Sequence, residues 1–407
     1  MKIRSITCFY EPGALNADYT LETLSNVAKE SKEICQQNGY EVQTLRLSTI
    51  PFSLIQPIEN DDELVKLVKS MEIKSKLNGF DYLSLGPALI EKPESYHIIS
   101  NLLEVTDSTF FSGIIADQKN GVSIEAIQNC AKIICQNAPL EDNGFANLRF
   151  SALANVKPFA PFFPGSYHHP GQPPSISLAI EGGDEVVKAF KGAKNLLEAR
   201  VSLVEYLESH ANQLGLIFSE LLADQKIVFQ GFDFSVAPFP DDEHSLGAAM
   251  EHLGVSLLGK HGSLAAAAFL ADTLDRGMWE RCGFNGLMLP LLEDSRLAQR
   301  SVDQSLSIKD LLMFSAVCGT GLDTIPIPGS TSQEQIEALL LDIASLSSRL
   351  NKPLTARLMP IPGKEAGDLT TFDFEFFCNG RVLPIDSEPL IGFFANDQEK
   401  FRLRPRK

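Results

Sequence analysis

The first 140 residues alternate two kinds of hydrophobic spacing. Short apolar runs read as strands at Ile3–Phe9, Val42–Leu47, Tyr82–Leu85 and Phe110–Ile115. Apolar residues three and four apart read as helices at Tyr19–Gln37, Asp61–Leu77, Ser95–Val105 and Ile124–Gln136. A strand–helix rhythm implies parallel pairing, with right-handed crossover helices covering the sheet.

The rhythm stops between Asn137 and Gly183, where Pro158, Pro161, Pro164, Pro170, Pro173 and Pro174 crowd one stretch. This predicts a long irregular connection, and Phe159, Phe162, Phe163 and Tyr167 predict that it packs down. One helix is expected from Asp184 to about Leu222. The alternation then resumes, with strands at Ile227–Val236, Leu287–Leu291 and Thr355–Met359. Helices are expected at Ser245–Leu253, Ser263–Leu274, Ile308–Ala316 and Gln333–Leu350. The chain thus divides into an N-terminal α/β half (1–140), a Pro-rich connection (141–183) and a C-terminal α/β half (184–407), or forms one continuous barrel. The distinctive loops follow strands or precede helices, so a ligand is expected outside the carboxyl ends of the strands.

Hydrophobic residues at 44% and charged residues at 21% describe a globular protein with a large core. The formal net charge of −17 repels phosphate backbones and anionic lipid headgroups, which argues against nucleic acid and membrane surfaces as partners. Seven dispersed cysteines without a CxxC pair fit a reducing cytosol and give no zinc ribbon. The opening MKIRSITCFYEPG lacks the apolar core of a signal peptide, and no window reaches ~18 uninterrupted apolar residues. A cytoplasmic protein is expected.

Four segments carry candidate chemistry. In the first, Asp233 interrupts an apolar strand, where a carboxylate must find a partner or shift its pKa. The following Asp241–Glu243 run suits either a hard cation or the capping of a helix start. In the second, Gly259-Lys-His261-Gly262-Ser263 feeds a helix, whose N-terminal amides can face an anion, with His261 as acid or base. A plain helix start is the alternative. In the third, Cys318 opens a glycine turn with Gly319 and Gly321, which let a ligand or another backbone approach. Cys318 is either a nucleophile or a small buried residue, and Asp323 follows in a tight, Pro-bounded loop. In the fourth, Arg357 sits in a strand fit for burial and needs a carboxylate or a ligand anion, and Lys364 follows in a Pro-Gly loop. Glu293 and Asp294 look like a strand-end pair opening a helix; Glu293 joins Asp233 as a candidate pair for Mg²⁺ or Ca²⁺.

The segments GFDFSVAPFPDDEHSLGAA, GKHGSLAAAAFL, CGFNGLMLPLLED, SAVCGTGLDTIPIPG, NKPLTARLMPIPGK and AGDLTTFDF resemble, in order, the domain-of-unknown-function seven-eleven family, also called "PFL family" proteins. The resemblance spans nearly the whole chain and is strongest from Gly231 to Phe374. It implies a fold similar to the glycyl radical enzymes of the pyruvate formate-lyase type: a large α/β barrel of about ten strands. By analogy Cys318 takes the place of the thiyl-forming cysteine. Asn379-Gly380-Arg381-Val382 does not follow the glycyl-radical order Arg-Val-x-Gly-Tyr, so radical chemistry is not implied.

The reading that follows is a cytosolic enzyme acting on a small anionic metabolite. Arg357, Lys364, Gly262 and Ser263 would hold the anion. Asp233, His261 or Asp323 would move protons, and Cys318 would attack. The alternative is a non-catalytic sensor or binding protein on the same barrel. Self-association into a homo-oligomer is expected.

Overall fold

The computed structural model describes residues 1–407 except 15, 56–60, 318, 319 and 407. Its strands are β1 (Lys2–Tyr10), β2 (Val42–Thr49), β3 (Tyr82–Ala88), β4 (Thr109–Asp117), β5 (Gly121–Ser123), β6 (Phe150–Ala154), β7 (Ser175–Glu181), β8 (Val228–Asp233), β9 (Gly321–Pro328), β10 (Leu354–Ile361) and β11 (Lys400–Phe401). They form one 11-stranded mixed sheet in the order β8-β7-β1-β2-β3-β4-β6-β10-β9, with β5 and β11 attached at β4. The central block β1-β2-β3-β4-β6 is parallel, as the N-terminal rhythm predicts. On its two flanks β7 and β10 pair antiparallel to it, and each carries a parallel neighbour, β8 and β9. Strand pairing does not close the sheet, whose edges are β8 and β9.

The segment between those edges was expected to contain a strand at Leu287–Leu291. Instead it is irregular and touches each edge at a single bridge, Phe232 with Arg281 and Pro290 with Asp323. The strand pattern there is real in that Met288 and Leu291 donate to Ser235 and Asp323 carbonyls, but no continuous ladder forms.

Helices α1 (Ala17–Gln37), α2 (Asp61–Leu77), α3 (Ile99–Glu104) and α4 (Ile124–Asn137) are the N-terminal crossovers. Helix α1 packs on β1 and β2, and α4 on β4. The single helix expected from Asp184 is two, α5 (Gly183–Gly192) and α6 (Leu196–Leu221). The break has a local cause: Ala193 is extended, and the Asn195 side chain caps α6 by accepting from the Glu198 amide. Then come α7 (Leu246–His252), α8 (Ser263–Asp275), α9 (Ser295–Val302), α10 (Ile308–Ser315) and α11 (Gln333–Leu350), which packs on β6 and β10. No helix among the described residues is long and apolar enough to cross a membrane.

The Pro-rich connection contains β6 and β7, and between them the chain runs across one face of the sheet. Proline lacks an N–H, so this segment is rich in carbonyls that its own backbone cannot satisfy. Small hydroxyls on the strands supply the donors. Ser5 and Thr7 donate to the Pro161 carbonyl at 3.4 and 3.1 Å, Ser84 to Ser166 at 2.7 Å and Ser177 to Phe159 at 3.1 Å. That is why these strands are serine- and threonine-rich on a face that is nonetheless buried.

Candidate binding site

A cavity of about 280 Å³ opens beside the start of β2, β3 and β4. It therefore lies at the amino ends of the parallel block, not at the carboxyl ends. The flanking strands β9 and β10 run the other way and bring Asp323 and Arg357 to the same place.

Two irregularities aim the charged groups. Opposite Arg357, the register shift between β9 and β10 puts both Asp323 and Thr324 against one residue, and Thr324 takes a positive φ of 46°. Such a bulge turns a side chain out of the regular alternation, and the conformation costs a β-branched residue of order 1–3 kcal/mol. A second shift, between Ile3 and Ser5, leaves Arg4 as the extra residue of β1.

The result is a buried chain of charges. The Arg357 guanidinium donates to Asp323 at 2.5 Å and to Glu293 at 2.9 Å. Glu293 spends its other oxygen on Arg4 at 2.5 Å, and Arg4 reaches Glu181 at 2.9 Å. Burial opposes both guanidinium charges, but the neighbouring carboxylates outweigh it and raise Arg4 and Arg357 above the usual arginine value. Two arginines thus face three carboxylates.

Arg46 restores the balance and is different in kind. Its Nε donates to the Thr44 hydroxyl at 2.9 Å, and its terminal nitrogens have no hydrogen-bond partner among the described residues. The guanidinium lies over the rings of Phe163 and Tyr82, 5.1 and 5.7 Å from their centroids. Burial, and then the positive charge of Arg4, push its pKa down to about 9, so it remains a cation at neutral pH. Phe110 closes this aromatic wall against both rings. Phe162 and Met288 form an apolar floor, and Phe374 and Phe376 line the side where Asp81 and Glu375 are exposed to solvent.

Of the residues singled out in the sequence, Asp323, Arg357 and Glu293 come together here. Glu293 and Asp294 part company: Asp294 caps α9 by accepting from the Arg296 and Leu297 amides, as a helix-start residue should, while Glu293 turns into the cavity. Asp233 is elsewhere. Its buried carboxylate accepts from the Ser235 hydroxyl and from the amides of Ser235, Phe284 and Asn285, so it staples β8 to the loop after Cys282. Burial raises it to about 6 against the pull of those hydrogen bonds. Asp233 and Glu293 therefore have separate partners, and among the described residues no three His, Cys, Asp or Glu side chains gather to hold a metal. His261 is exposed, and Gly262 and Ser263 form the entry to α8, where the Ser263 hydroxyl bonds back to Lys260 at 2.6 Å. Lys364 lies past the end of β10, its carbonyl tied to the Gly329 amide, and does not line the cavity. Gly321 has a packing reason: a Cβ there would meet the Thr355 carbonyl oxygen at 2.2 Å. Cys318 and Gly319 lie outside the described residues.

Arg4, Arg46 and Glu181 were not singled out, although the signal used for Arg357 applies to all three. Each is a charged residue in a strand that is mostly apolar or small.

Fold and site together define a mixed α/β protein with a buried arginine–carboxylate cavity walled by aromatic rings. The chain belongs to the family described as "Uncharacterised ACR (DUF711)", whose model matches residues 1–376. It is similar to a "UPF0210 protein" of Pyrobaculum arsenaticum, 27% identical over 396 residues that cover 91% of this chain and 86% of the relative. The protein of that name from Acetivibrio thermocellus is 27% identical over 363 residues (86% and 80%). One from Clostridium perfringens is 27% identical over 368 residues (87% and 82%).

Proposed function

We propose that the cavity binds a small metabolite through an anionic group seated on Arg46. The observation that carries this is the state of that guanidinium: enclosed by aromatic rings, charged, and without a carboxylate partner among the described residues, whereas Arg4 and Arg357 are each held by two. A planar fork of free N–H donors in a low-dielectric pocket suits a carboxylate. Binding is the function this geometry supports best. An enzymatic role on the same ligand would assign proton transfer to Asp323 or Glu293, which line the same cavity. We read the sheet as a barrel of ten positions, with five parallel strands, four opposed, and the segment between Phe232 and Pro290 spanning the gap.

The test is a thermal-shift screen of small carboxylates, phosphates and divalent cations, with Arg46→Met beside the parent. A ligand at a hundred times its Kd stabilises by about 2.7 kcal/mol. A carboxylate should raise the midpoint of the parent and leave that of Arg46→Met unmoved. A shift that survives in Arg46→Met removes Arg46 as the anchor.

A further inference from the structure

The geometry points to a zwitterionic ligand, an amino acid with an apolar side chain, whose carboxylate meets Arg46 and whose ammonium meets Asp323 and Glu293. This rests on the reading of Arg46 as an anion seat and adds a second pole to it.

The first argument is charge balance. Arg4, Arg46 and Arg357 are matched by Glu181, Glu293 and Asp323, and the exposed Asp81 and Glu375 add negative charge where the cavity meets solvent. A simple anion would leave the buried set one charge negative behind a negative rim. A simple cation would meet Arg46. A ligand with both charges, correctly oriented, keeps the set neutral, and uncompensated charge in a buried site is what costs most.

The second argument is the distribution of unmatched hydrogen-bonding groups. The spare donors are on Arg46. The spare acceptor is on the opposite pole: among the described residues the Asp323 carboxylate, which lines the cavity, uses only Oδ1. An ammonium brings three donors and no acceptor, and a carboxylate brings acceptors and no donor. The remaining polar side chains are committed, Thr44 to the Arg4 carbonyl and Gln43 to Glu181.

The third argument is the rest of the lining. Phe110, Phe162, Phe163, Leu148 and Met288 offer apolar surface. A cavity of about 280 Å³ sits at the small end of ligand pockets and suits a single amino acid better than a nucleotide.

The experiment is calorimetric titration of the full-length protein with leucine, phenylalanine, 3-phenylpropionate, phenethylamine and inorganic phosphate. Each phenyl compound differs from phenylalanine by one charged group, so the parent protein alone gives the answer. Leucine or phenylalanine should bind, and phenylalanine should bind at least about tenfold more tightly than either of its truncated forms, the scale of one charge-assisted hydrogen bond. Arg46→Gln should erase the advantage over phenethylamine. Equal binding of 3-phenylpropionate and phenylalanine overturns the zwitterion and leaves the Arg46 seat standing. Binding of phenethylamine alone, or of phosphate alone, overturns the zwitterion and the carboxylate seat together. No binding by any of the five at millimolar concentration does the same.

Discussion

Replacing Arg357 by Met tests whether the charge chain is structural. The side chain is 9% exposed and neutralises two carboxylates that are themselves buried. In Arg357→Met, Glu293 keeps Arg4 at 2.5 Å, but Asp323 loses the one ionic partner it has among the described residues. Breaking a buried pair by removing one member costs about 3–5 kcal/mol, because the desolvated charge that remains has nothing to compensate it. With an unfolding entropy near 2 cal/mol/K per residue over 407 residues, that converts to a fall in Tm of about 4–6 °C. Urea unfolding of the parent, Arg357→Met, Asp323→Asn and the double variant completes a thermodynamic cycle. The double variant has no orphaned charge, so it should recover much of the loss, with a coupling energy above about 1.5 kcal/mol. A single-variant loss below about 1 kcal/mol, or strict additivity, would mean that water already solvates the pair, and the buried-charge reasoning for this cavity would fail.

Two further outcomes concern the staple at Asp233. Its carboxyl is raised to about 6 in the fold, against about 3.9 in an unfolded chain, so between those values the folded protein holds the proton more tightly. Its contribution to stability is therefore complete below pH ~4 and lost as the pH climbs to about 6; Asp233→Asn, measured by urea unfolding across that window, should lack this loss. Gly283 should not tolerate alanine, since a Cβ would lie 2.2 Å from Asp233 Oδ2 at a φ of +70°, and Gly283→Ala should lower Tm without altering ligand affinity at the Arg46 cavity.

Much of this protein was legible along the chain. The N-terminal strands and their crossovers follow from local periodicity, and parallel pairing follows from the crossovers, because a helix between two strands returns the chain to the same end of the sheet. Arg357 stood out because a charge in an apolar run must be compensated wherever the chain goes; Asp323 stood out as part of a tight, Pro-bounded loop, a stretch that is strand β9 in the fold, and Glu293 as one of a strand-end pair. The same rule, applied to Arg4 and Arg46, would have found the rest of the site. Which carboxylate compensates which arginine was decided only in three dimensions: Arg4, on β1, and Glu293, in the irregular segment before α9, are 289 residues apart. So was the fate of Asp233, since the Phe284 and Asn285 amides that satisfy it arrive from a loop some fifty residues away. The cavity's position at the amino ends of the parallel strands was likewise a tertiary outcome. Periodicity reports which face of an element is buried, but register shifts such as those at Arg4 and Thr324, set by pairing with distant strands, decide which charged side chains turn inward and what they meet.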